Sequence, residues 1–286
     1  MHLKPQIAVF SSHVASGAVG NRASVFALEL LGFEVWAIPT VHLAWHPGHG
    51  PSTRMVPDEG LFAAHVDELC GKISPDAPIA VLSGYLGSAS QAAPIARFVA
   101  KARQSGSLVH YLCDPVLGDH GGLYVSPSIA EAIRDQLVSL ADIITPNLFE
   151  LGWLSSSGEA SDMGAAVEQA KQLKKLMVLA TSVPAMMVGN VANVLVSGEQ
   201  TSAAEHRMAA KVPNGTGDLV SSLFLARLLL GAPPDKALGM ASAAVFALAM
   251  RANQNGEMDF HLSRDQEFLR RTTSMPVRTI VTGKVR

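Results

Sequence analysis

Residues 215–218, Gly-Thr-Gly-Asp, place a carboxylate beside bare backbone at the start of an apolar helical stretch. Gly215 and Gly217 have no Cβ atoms, so their N–H groups can approach a ligand closely. At a helix N-terminus such N–H groups form an anion site. Asp218 would repel a bound phosphate unless it accepts a proton from an attacking nucleophile. It could also simply cap a helix over 218–231, because Asp is a good N-cap residue.

Two other segments carry oxygen ligands. Asp114 ends an apolar run and precedes Pro115 and a glycine-bearing loop, while Asn147 and Glu150 stand three residues apart, as neighbours on a helix would. Mg²⁺ prefers a few carboxylates combined with phosphate and water oxygens. Each segment alone could be a polar turn or the first turn of a helix. Together with 215–218 they favour a site for a nucleotide and a metal.

Apolar runs of strand length alternate with helical patterns along the chain. Strands are predicted over 6–12, 34–41, 79–85, 108–114, 142–147, 176–182 and 277–283, with two more around a short turn in 185–198. Helices are predicted over 21–32, 91–106, 162–175, 218–231 and 235–250. Near-continuous apolar strands joined by helices indicate a mostly parallel sheet covered on both faces. The expected fold is a three-layer α/β/α sandwich forming one domain over 1–286.

The carboxyl ends of parallel strands form the ligand-binding edge of such a sheet. Polar side chains collect at the predicted strand ends. They are Ser11, Ser12, His13, Ser83, Tyr85, Asp114, Thr145, Asn147, Glu150, Thr181 and Ser182. This edge is therefore rich in hydroxyls, amides and carboxylates.

Composition excludes several classes of protein. The 286 residues carry 22 Lys and Arg against 24 Asp and Glu, which gives no basic footprint for nucleic acid. Two cysteines, Cys70 and Cys113, cannot form a disulfide framework and suit a reducing compartment. The N-terminus lacks a signal-peptide pattern, and the most apolar window, 237–250, is too short to span a membrane. We expect a soluble, cytoplasmic protein.

Six segments, in order along the chain, resemble the pyridoxal kinases of the ribokinase-like superfamily. They are SSHVASGAVGN (11–21), SGYLGS (83–88), CDPVLGD (113–119), DIITPNLFEL (142–151), TS (181–182) and GTGDL (215–219). The last motif and TPN..E mark only the superfamily, whereas SGYLGS and the first segment are more specific. The resemblance implies MgATP-dependent phosphorylation of the 5′-hydroxymethyl group of pyridoxal, often also of pyridoxine and pyridoxamine, by a homodimer.

The resemblance also implies roles for single residues. Asp218 would be the base, and the N–H groups of Gly215, Thr216 and Gly217 would hold the transferring phosphoryl group. ATP and its Mg²⁺ would contact Asp114, Asn147, Glu150, Thr181 and Ser182, with the metal held by Asp114 and Glu150, partly through water. The pyridine ring would contact Ser12, Val19, Val41 and Tyr85, and His46 lies on a loop that would close over it.

That loop departs from the family pattern. The family usually has an Asn-His-Thr triplet followed by an aromatic residue, whereas this chain reads WHPGHGPSTRM over 45–55. Trp45 and Pro47 replace two polar residues, and the aromatic position is lost. The departure predicts changed substrate affinity and range.

Three alternatives follow from the same residues. His42, His46 and His49 are close in sequence, but no cysteine or carboxylate stands nearby to complete a zinc site. A hydroxymethylpyrimidine kinase would share the superfamily sheet, but those relatives typically have cysteine at the position of Asp218, and SGYLGS fits them poorly. A protein that only stores pyridoxal phosphate would gain nothing from a general base.

Overall fold

A computed structural model of the protein describes residues 4–280. Its strands are β1 (Gln6–Val14), β2 (Val35–Leu43), β3 (Arg54–Met55), β4 (Ile79–Ser83), β5 (Leu108–Cys113), β6 (Gly118–Asp119), β7 (Gly122–Leu123), β8 (Ile143–Ile144), β9 (Met177–Pro184), β10 (Asn190–Ser197), β11 (Gln200–Arg207) and β12 (Val277–Thr279). Within the described part, ten strands form one sheet in the order β12-β11-β10-β9-β8-β5-β4-β1-β2-β3, and β6 and β7 form a separate hairpin.

The helices are α1 (Asn21–Leu30), α2 (Glu59–Cys70), α3 (Ala92–Gln104), α4 (Pro127–Ala132), α5 (Leu148–Leu154), α6 (Met163–Gln172), α7 (Thr216–Leu229), α8 (Pro234–Asn255) and α9 (Gln266–Arg270). Two 3₁₀ turns, Pro47–His49 and Ala89–Gln91, and a π-helical turn, Ile133–Val138, complete the helical segments that the structure describes. Across residues 4–280, no helix combines the length and apolar character needed to cross a lipid bilayer.

The centre of the sheet is parallel and its two ends are antiparallel. Strand β1 pairs in parallel with β2 and β4, and the parallel pairing continues through β5, β8 and β9. Strands β10, β11 and β12 extend one end in antiparallel pairing, and β3 does so at the other end. The parallel strands all direct their carboxyl ends to one edge, which is the edge that the polar residues share.

Two buried clusters lie on opposite faces of the sheet. In β1, Ala8 and Phe10 belong to the cluster packed against α2–α6, whereas Ile7 and Val9 belong to the cluster packed against α1, α7, α8 and α9. Successive strand residues point to opposite faces, so a strand buried on both sides must be apolar throughout. The predicted three-layer α/β/α sandwich with a mostly parallel sheet is confirmed.

Several element predictions need correction. Residues 185–198 do not hold two strands: 185–189 is the turn between β9 and β10, and β10 runs unbroken from 190 to 197. Polar Asn193 stays inside β10 because its side-chain amide donates to Ser242 Oγ on α8 over 2.9 Å. Strand β8 spans only 143–144 because Asn147 already begins a helix. Strand β12 covers 277–279, and residues 281–283 of that prediction lie outside the described residues.

Candidate active site

The Gly-Thr-Gly turn forms the N-terminus of α7. Gly215 is the N-cap residue, in the left-handed conformation with φ of 87°, and a Cβ built on it would lie 2.1 Å from the carbonyl oxygen of Ala18. Only glycine fits this position. The first intrahelical bond runs from Leu219 N–H to Gly215 O, so the N–H groups of Thr216 and Gly217 precede the helix ladder. The turn therefore leaves these N–H groups outside the helix ladder, and the anion site stays a prediction.

Asp218 does not cap this helix, and that interpretation was wrong. The helix begins at Thr216, and no side chain makes a capping bond at its N-terminus. Asp218 stands in the first turn, half-buried, where its carboxylate accepts a hydrogen bond from the N–H of Gly20. Burial raises the pKa of Asp218 to about 6, and the Gly20 bond opposes that rise. A carboxylate with a pKa near neutrality suits proton transfer at physiological pH.

Asp114 follows β5 and lies beside the glycine turn. It is 6% exposed, and a Cβ on Gly217 would be 4.0 Å from its Oδ2. Burial raises the pKa of Asp114 to about 7, the negative charge of Asp218 raises it further, and hydrogen bonds from Ser221 and Thr145 oppose the rise. The charge of Asp218 thus acts on a buried Asp114, which favours binding of a cation beside these carboxylates.

Glu150 and Asn147 close the N-terminus of α5 as a reciprocal pair. Asn147 Oδ1 accepts from Glu150 N–H at 2.9 Å, and Glu150 Oε2 accepts from Asn147 N–H at 2.8 Å. Glu150 Oε1 also accepts from Leu117 N–H at 2.9 Å, and the amide of Asn147 donates to Gly118 O. Burial raises the pKa of Glu150, and the charge of Asp114 adds to the effect. With both oxygens engaged, Glu150 fits a metal held through water better than a direct ligand.

Thr181 and Ser182 lie at the same edge of the sheet. Thr181 N–H donates to Pro146 O at 2.9 Å, which extends the parallel pairing of β8 and β9 past the end of β8. Ser182 is exposed and has φ of 58°, a left-handed conformation that is uncommon for a residue with a side chain. Backbone of this kind clusters at functional sites. Thr181 forms an isolated parallel bridge with Asn147, so this part of β9 runs beside the start of α5. The phosphate contacts stay a prediction.

The predicted ring-binding residues come together in a small apolar cluster. Val19, Val41 and Tyr85 share it with Val14 and Leu43. Tyr85 is half-buried, and Thr40 Oγ1 donates to its carbonyl oxygen at 2.7 Å. A flat heteroaromatic ring needs apolar walls of this kind with a few oriented polar groups.

Ser12 provides a polar group next to that cluster. It is 7% exposed, and a Cβ on Gly20 would lie 2.4 Å from its Oγ and 2.3 Å from its carbonyl oxygen. Gly20, with φ of 55°, therefore lets the chain pass close to Ser12 while its N–H bonds Asp218. Gly20 thus contacts both Ser12, the predicted ring contact, and Asp218, the predicted base.

His46 lies at the start of the 45–55 loop, where its Nδ1 accepts from Gly48 N–H at 3.1 Å. Burial lowers the pKa of His46, and the neighbouring His49 lowers it further, so the imidazole is favoured in its neutral form. The three histidines do not assemble: His42 stacks near His13 with ring centroids 5.7 Å apart, and His49 pairs with Asp259. Over residues 4–280, no three His, Cys, Asp or Glu side chains group so that they could hold a metal.

Sequence reasoning missed three residues at this site. Gly20 is one of them, and its positive φ leaves no trace in a single sequence. Tyr124, after β7, is another: it is 54% exposed, and burial together with the charges of Glu150, Asp114, Asp119 and Asp218 raises its pKa. Asp259 is the third, because it contacts the 45–55 loop from a segment with no motif. Tyr124 could have been found from the sequence, because it is an aromatic residue just after the loop that follows Asp114.

Comparisons with known proteins agree with this geometry. A sequence model of the family described as phosphomethylpyrimidine kinase matches residues 58–261. The pyridoxal kinase PdxY of Rubrobacter xylanophilus is 35% identical over 90% of this chain and 91% of its own, and that of Deinococcus radiodurans is 33% identical over 91% of each. A structure of pyridoxal kinase from Leishmania donovani with ADP and pyridoxamine has a TM-score of 0.88 at 26% identity and covers 96% of this chain and 99% of its own.

These relatives cover nine-tenths or more of this chain. The family model's match, 58–261, contains Asp114, Glu150 and Asp218. The chain belongs to the pyridoxal kinase family of the ribokinase-like superfamily.

Proposed function

We propose that this protein is a pyridoxal kinase that transfers the γ-phosphoryl group of ATP to the 5′-hydroxymethyl group of pyridoxal, and also accepts pyridoxine and pyridoxamine. The product is pyridoxal 5′-phosphate, made in vitamin B6 salvage. The observation that carries the proposal is the position of Asp218: it lies in the first turn of the glycine cradle and is bonded to Gly20, next to Ser12 of the ring pocket. Asp218 would therefore lie between the site of the transferring phosphoryl group and the site of the substrate hydroxyl.

Phosphoryl transfer depends mainly on positioning and on charge stabilisation. In the proposal, Val19, Val41 and Tyr85 enclose the pyridine ring, and Ser12 bonds its polar edge. Asp218 accepts the proton of the substrate hydroxyl. The N–H groups of Gly215, Thr216 and Gly217 receive the charge that develops on the transferring phosphoryl group. His46 covers the ring from the 45–55 loop.

The nucleotide side of the proposal rests on the remaining strand ends. Thr181, Ser182 and Asn147 bind the ATP phosphates. Asp114 and Glu150 would hold a Mg²⁺ ion, with Glu150 acting through water, because both Glu150 oxygens already accept backbone N–H groups. The ion, when bound, neutralises charge on the phosphates. Asp114 and Glu150 fit this role because both are buried and the negative charge of Asp114 raises the pKa of Glu150, so that a cation would relieve the repulsion.

The proposal extends to the whole chain. One kinase domain over 1–286, a homodimer and a cytoplasmic location follow from the family resemblance. The cysteines Cys70 and Cys113 are both free thiols, which is in keeping with a reducing compartment. Light scattering on the purified protein measures the oligomeric state directly.

A second candidate is kinase activity on hydroxymethylpyrimidine, because the matching family model carries the phosphomethylpyrimidine kinase description. The aspartate at 218, where those relatives typically have cysteine, argues against it. The test is ATP-dependent phosphorylation with Mg²⁺, with pyridoxal and hydroxymethylpyrimidine assayed side by side. We expect turnover to favour pyridoxal. Preference for the pyrimidine would support the second candidate, and tight binding of pyridoxal phosphate without turnover of either would support a storage protein.

A further inference from the structure

The loop over the ring pocket, residues 44–53, is ordered by its own hydrogen bonds. Ser52 Oγ accepts from Ala44 N–H at 3.1 Å and from Trp45 N–H at 3.3 Å. His49 N–H donates to His46 O at 2.9 Å, which closes the 3₁₀ turn Pro47–His49. These bonds hold the loop in shape. They do not by themselves attach the loop to the rest of the protein.

Ser16 N–H, which donates to Ala44 O at 2.9 Å, attaches the base of the loop, and Asp259 attaches its tip. His49 Nε2 lies 2.9 Å from Oδ1 and 2.9 Å from Oδ2 of Asp259, which stands between α8 and α9. The pair is partly screened from water, with side chains 28% and 27% exposed. A protonated imidazole makes an ion pair there, and a neutral one that donates from Nε2 makes a hydrogen bond, so either form of His49 keeps the contact.

The same carboxylate also reaches the phosphate cradle. Asn214, the residue before Gly215, donates its N–H to Met258 O at 3.1 Å, and its side-chain amide lies 3.4 Å from Asp259 Oδ1. Asn214 Nδ2 is 3.5 Å from His49 Nε2 as well. Gly17, in the segment after β1, packs close enough that a Cβ on it would be 3.6 Å from Asp259 Oδ2. Loop, cradle and the β1 end therefore meet at one side chain.

We propose that Asp259 is a positioning residue that holds the 44–53 loop closed over the substrate through His49 and ties the closed loop to the cradle through Asn214. This inference rests on the proposed function, and it identifies a contact outside the ring pocket that contributes to the affinity for pyridoxal. The loop lacks the polar triplet usual in the family, so its hold on the substrate depends on being kept closed from outside. A loop that is already closed loses less conformational entropy when pyridoxal binds. The contact should therefore lower KM more than it changes kcat.

The test is a double-mutant cycle on His49→Ala and Asp259→Ala. Each single variant should raise KM for pyridoxal by about threefold to tenfold, the range for a partly exposed pair, with a smaller change in kcat. The double variant should match Asp259→Ala, because the loss of His49 removes no further contact with Asp259 once that carboxylate is gone. His49→Gln, whose amide can still donate to Asp259, should recover part of the KM. Asp67→Ala, which breaks the exposed Arg97–Asp67 pair on α2 and α3, is the matched control.

Hydrogen exchange without any substrate gives an independent readout. Peptides covering 44–53 should exchange faster in His49→Ala and in Asp259→Ala than in the unaltered protein, and Asp67→Ala should leave them unchanged. Unchanged exchange in both variants, or KM effects that add in the double variant, would overturn the inference. If the unaltered protein does not phosphorylate pyridoxal, the proposed function is wrong. The hydrogen-exchange rates of 44–53 would still show whether the His49–Asp259 contact orders the loop.

Discussion

At the scale of single residues, the site depends on carboxylates whose protonation is set by burial. Asp218 and Asp114 both titrate near neutrality, because each is removed from water and Asp218 adds its charge to Asp114. Of these two carboxylates, only Asp218 would face the hydroxyl group of the substrate. The Gly20 N–H fixes the orientation of that carboxylate, so its basicity and its position can be tested separately.

Asp218→Asn removes basicity and keeps shape. The amide oxygen can still accept from Gly20 N–H, so the glycine cradle and the ring pocket should keep their geometry. We expect ATP affinity to change little and kcat to fall by about 10²- to 10⁴-fold, the usual contribution of a general base. Isothermal titration with ATP and steady-state kinetics measure the two effects. A variant with near-normal turnover would show that Asp218 is not the base.

The pH dependence of kcat/KM follows from the same carboxylate. A general base acts when deprotonated, and the pKa of Asp218 is about 6, so kcat/KM should rise with pH up to about 6 and then level off. Below that value the rate should fall about tenfold for each pH unit. The profile is measured with pyridoxal at saturating Mg²⁺ and ATP. A flat profile between pH 5 and 7 would contradict the assignment.

Residue types and spacing indicated much of this site but not how its parts connect. Asp114, Glu150, Thr181 and the glycine turn could be grouped because each follows an apolar strand or opens a helix. The Gly20–Asp218 and His49–Asp259 contacts join segments far apart in the chain, and no local pattern encodes them. The cap interpretation of Asp218 failed for a local reason: Gly215, in a left-handed conformation, already occupies the N-cap position.

At the scale of elements, predictions succeeded where burial forces a continuous apolar run. Strands β1 and β4 and the second half of β5 are buried on both faces, and all three strands were predicted from the sequence. Strand β11, Gln200–Arg207, was missed because small and polar residues compose it, although Thr201 and Ser202 are buried. Helix α2 was missed too, yet Asp58 gives a capping signal, with Oδ1 accepting from Gly60 N–H and Leu61 N–H. A single sequence does not say which polar residues the fold will bury.

The two ends of α7 allow the phosphate cradle to be tested against a matched control. Gly215 and Gly231 both have positive φ, 87° and 85°, but a Cβ on Gly215 meets Ala18 O at 2.1 Å whereas one on Gly231 meets nothing within 4 Å. Gly231→Ala should therefore cost only the left-handed conformation, about 1–2 kcal/mol of unfolding free energy. Gly215→Ala should cost about 2–4 kcal/mol, because Ala18 must also move.

Turnover should separate the same two variants more strongly than stability does. Displacing the N–H groups of α7 by a fraction of an ångström disturbs the phosphoryl site, so Gly215→Ala should lose about 100-fold in kcat. Gly231→Ala should keep kcat within about twofold, since it lies at the far end of the helix. Denaturant unfolding and steady-state kinetics on both variants measure these differences. Equal losses of activity would mean that the close approach at Gly215 has no catalytic consequence.

At the scale of the whole molecule, the proposed ring site and the proposed nucleotide site would lie on different halves of the sheet. The proposed ring-binding residues lie in β1 and β2 and in the segments after β1 and β4, while the proposed nucleotide-binding residues follow β5 and β8 or lie in β9. The order β9-β8-β5-β4-β1-β2 makes these halves adjacent along one edge. The three-layer fold was predictable because alternating apolar strands and helices allow few arrangements. The antiparallel end was predicted only in part: 185–198 was expected to hold two antiparallel strands but holds one, β10, and β11 was missed, whereas the pairing of β9 to β12 is antiparallel.

A substitution in the core should separate stability from the site. Phe98 on α3 is fully buried, with its ring 5.3 Å from that of Phe10 on β1 and 6.3 Å from that of Trp36 on β2. Phe98→Ala should cost about 3–5 kcal/mol and lower Tm by about 10 °C, because it leaves a cavity under the substrate half of the sheet. Phe98→Leu should cost less, since more of the volume stays filled.

Well below its lowered Tm, Phe98→Ala should keep KM for pyridoxal within about twofold, because the ring pocket lies at the carboxyl edge and rests on strands that remain paired. Calorimetry and kinetics at 15–20 °C, chosen as about the temperature of maximum stability, test the pair of expectations. A large rise in KM with little change in Tm would mean that packing beneath the sheet sets the pocket geometry. The ring site would then depend on α3 as much as on the strand ends.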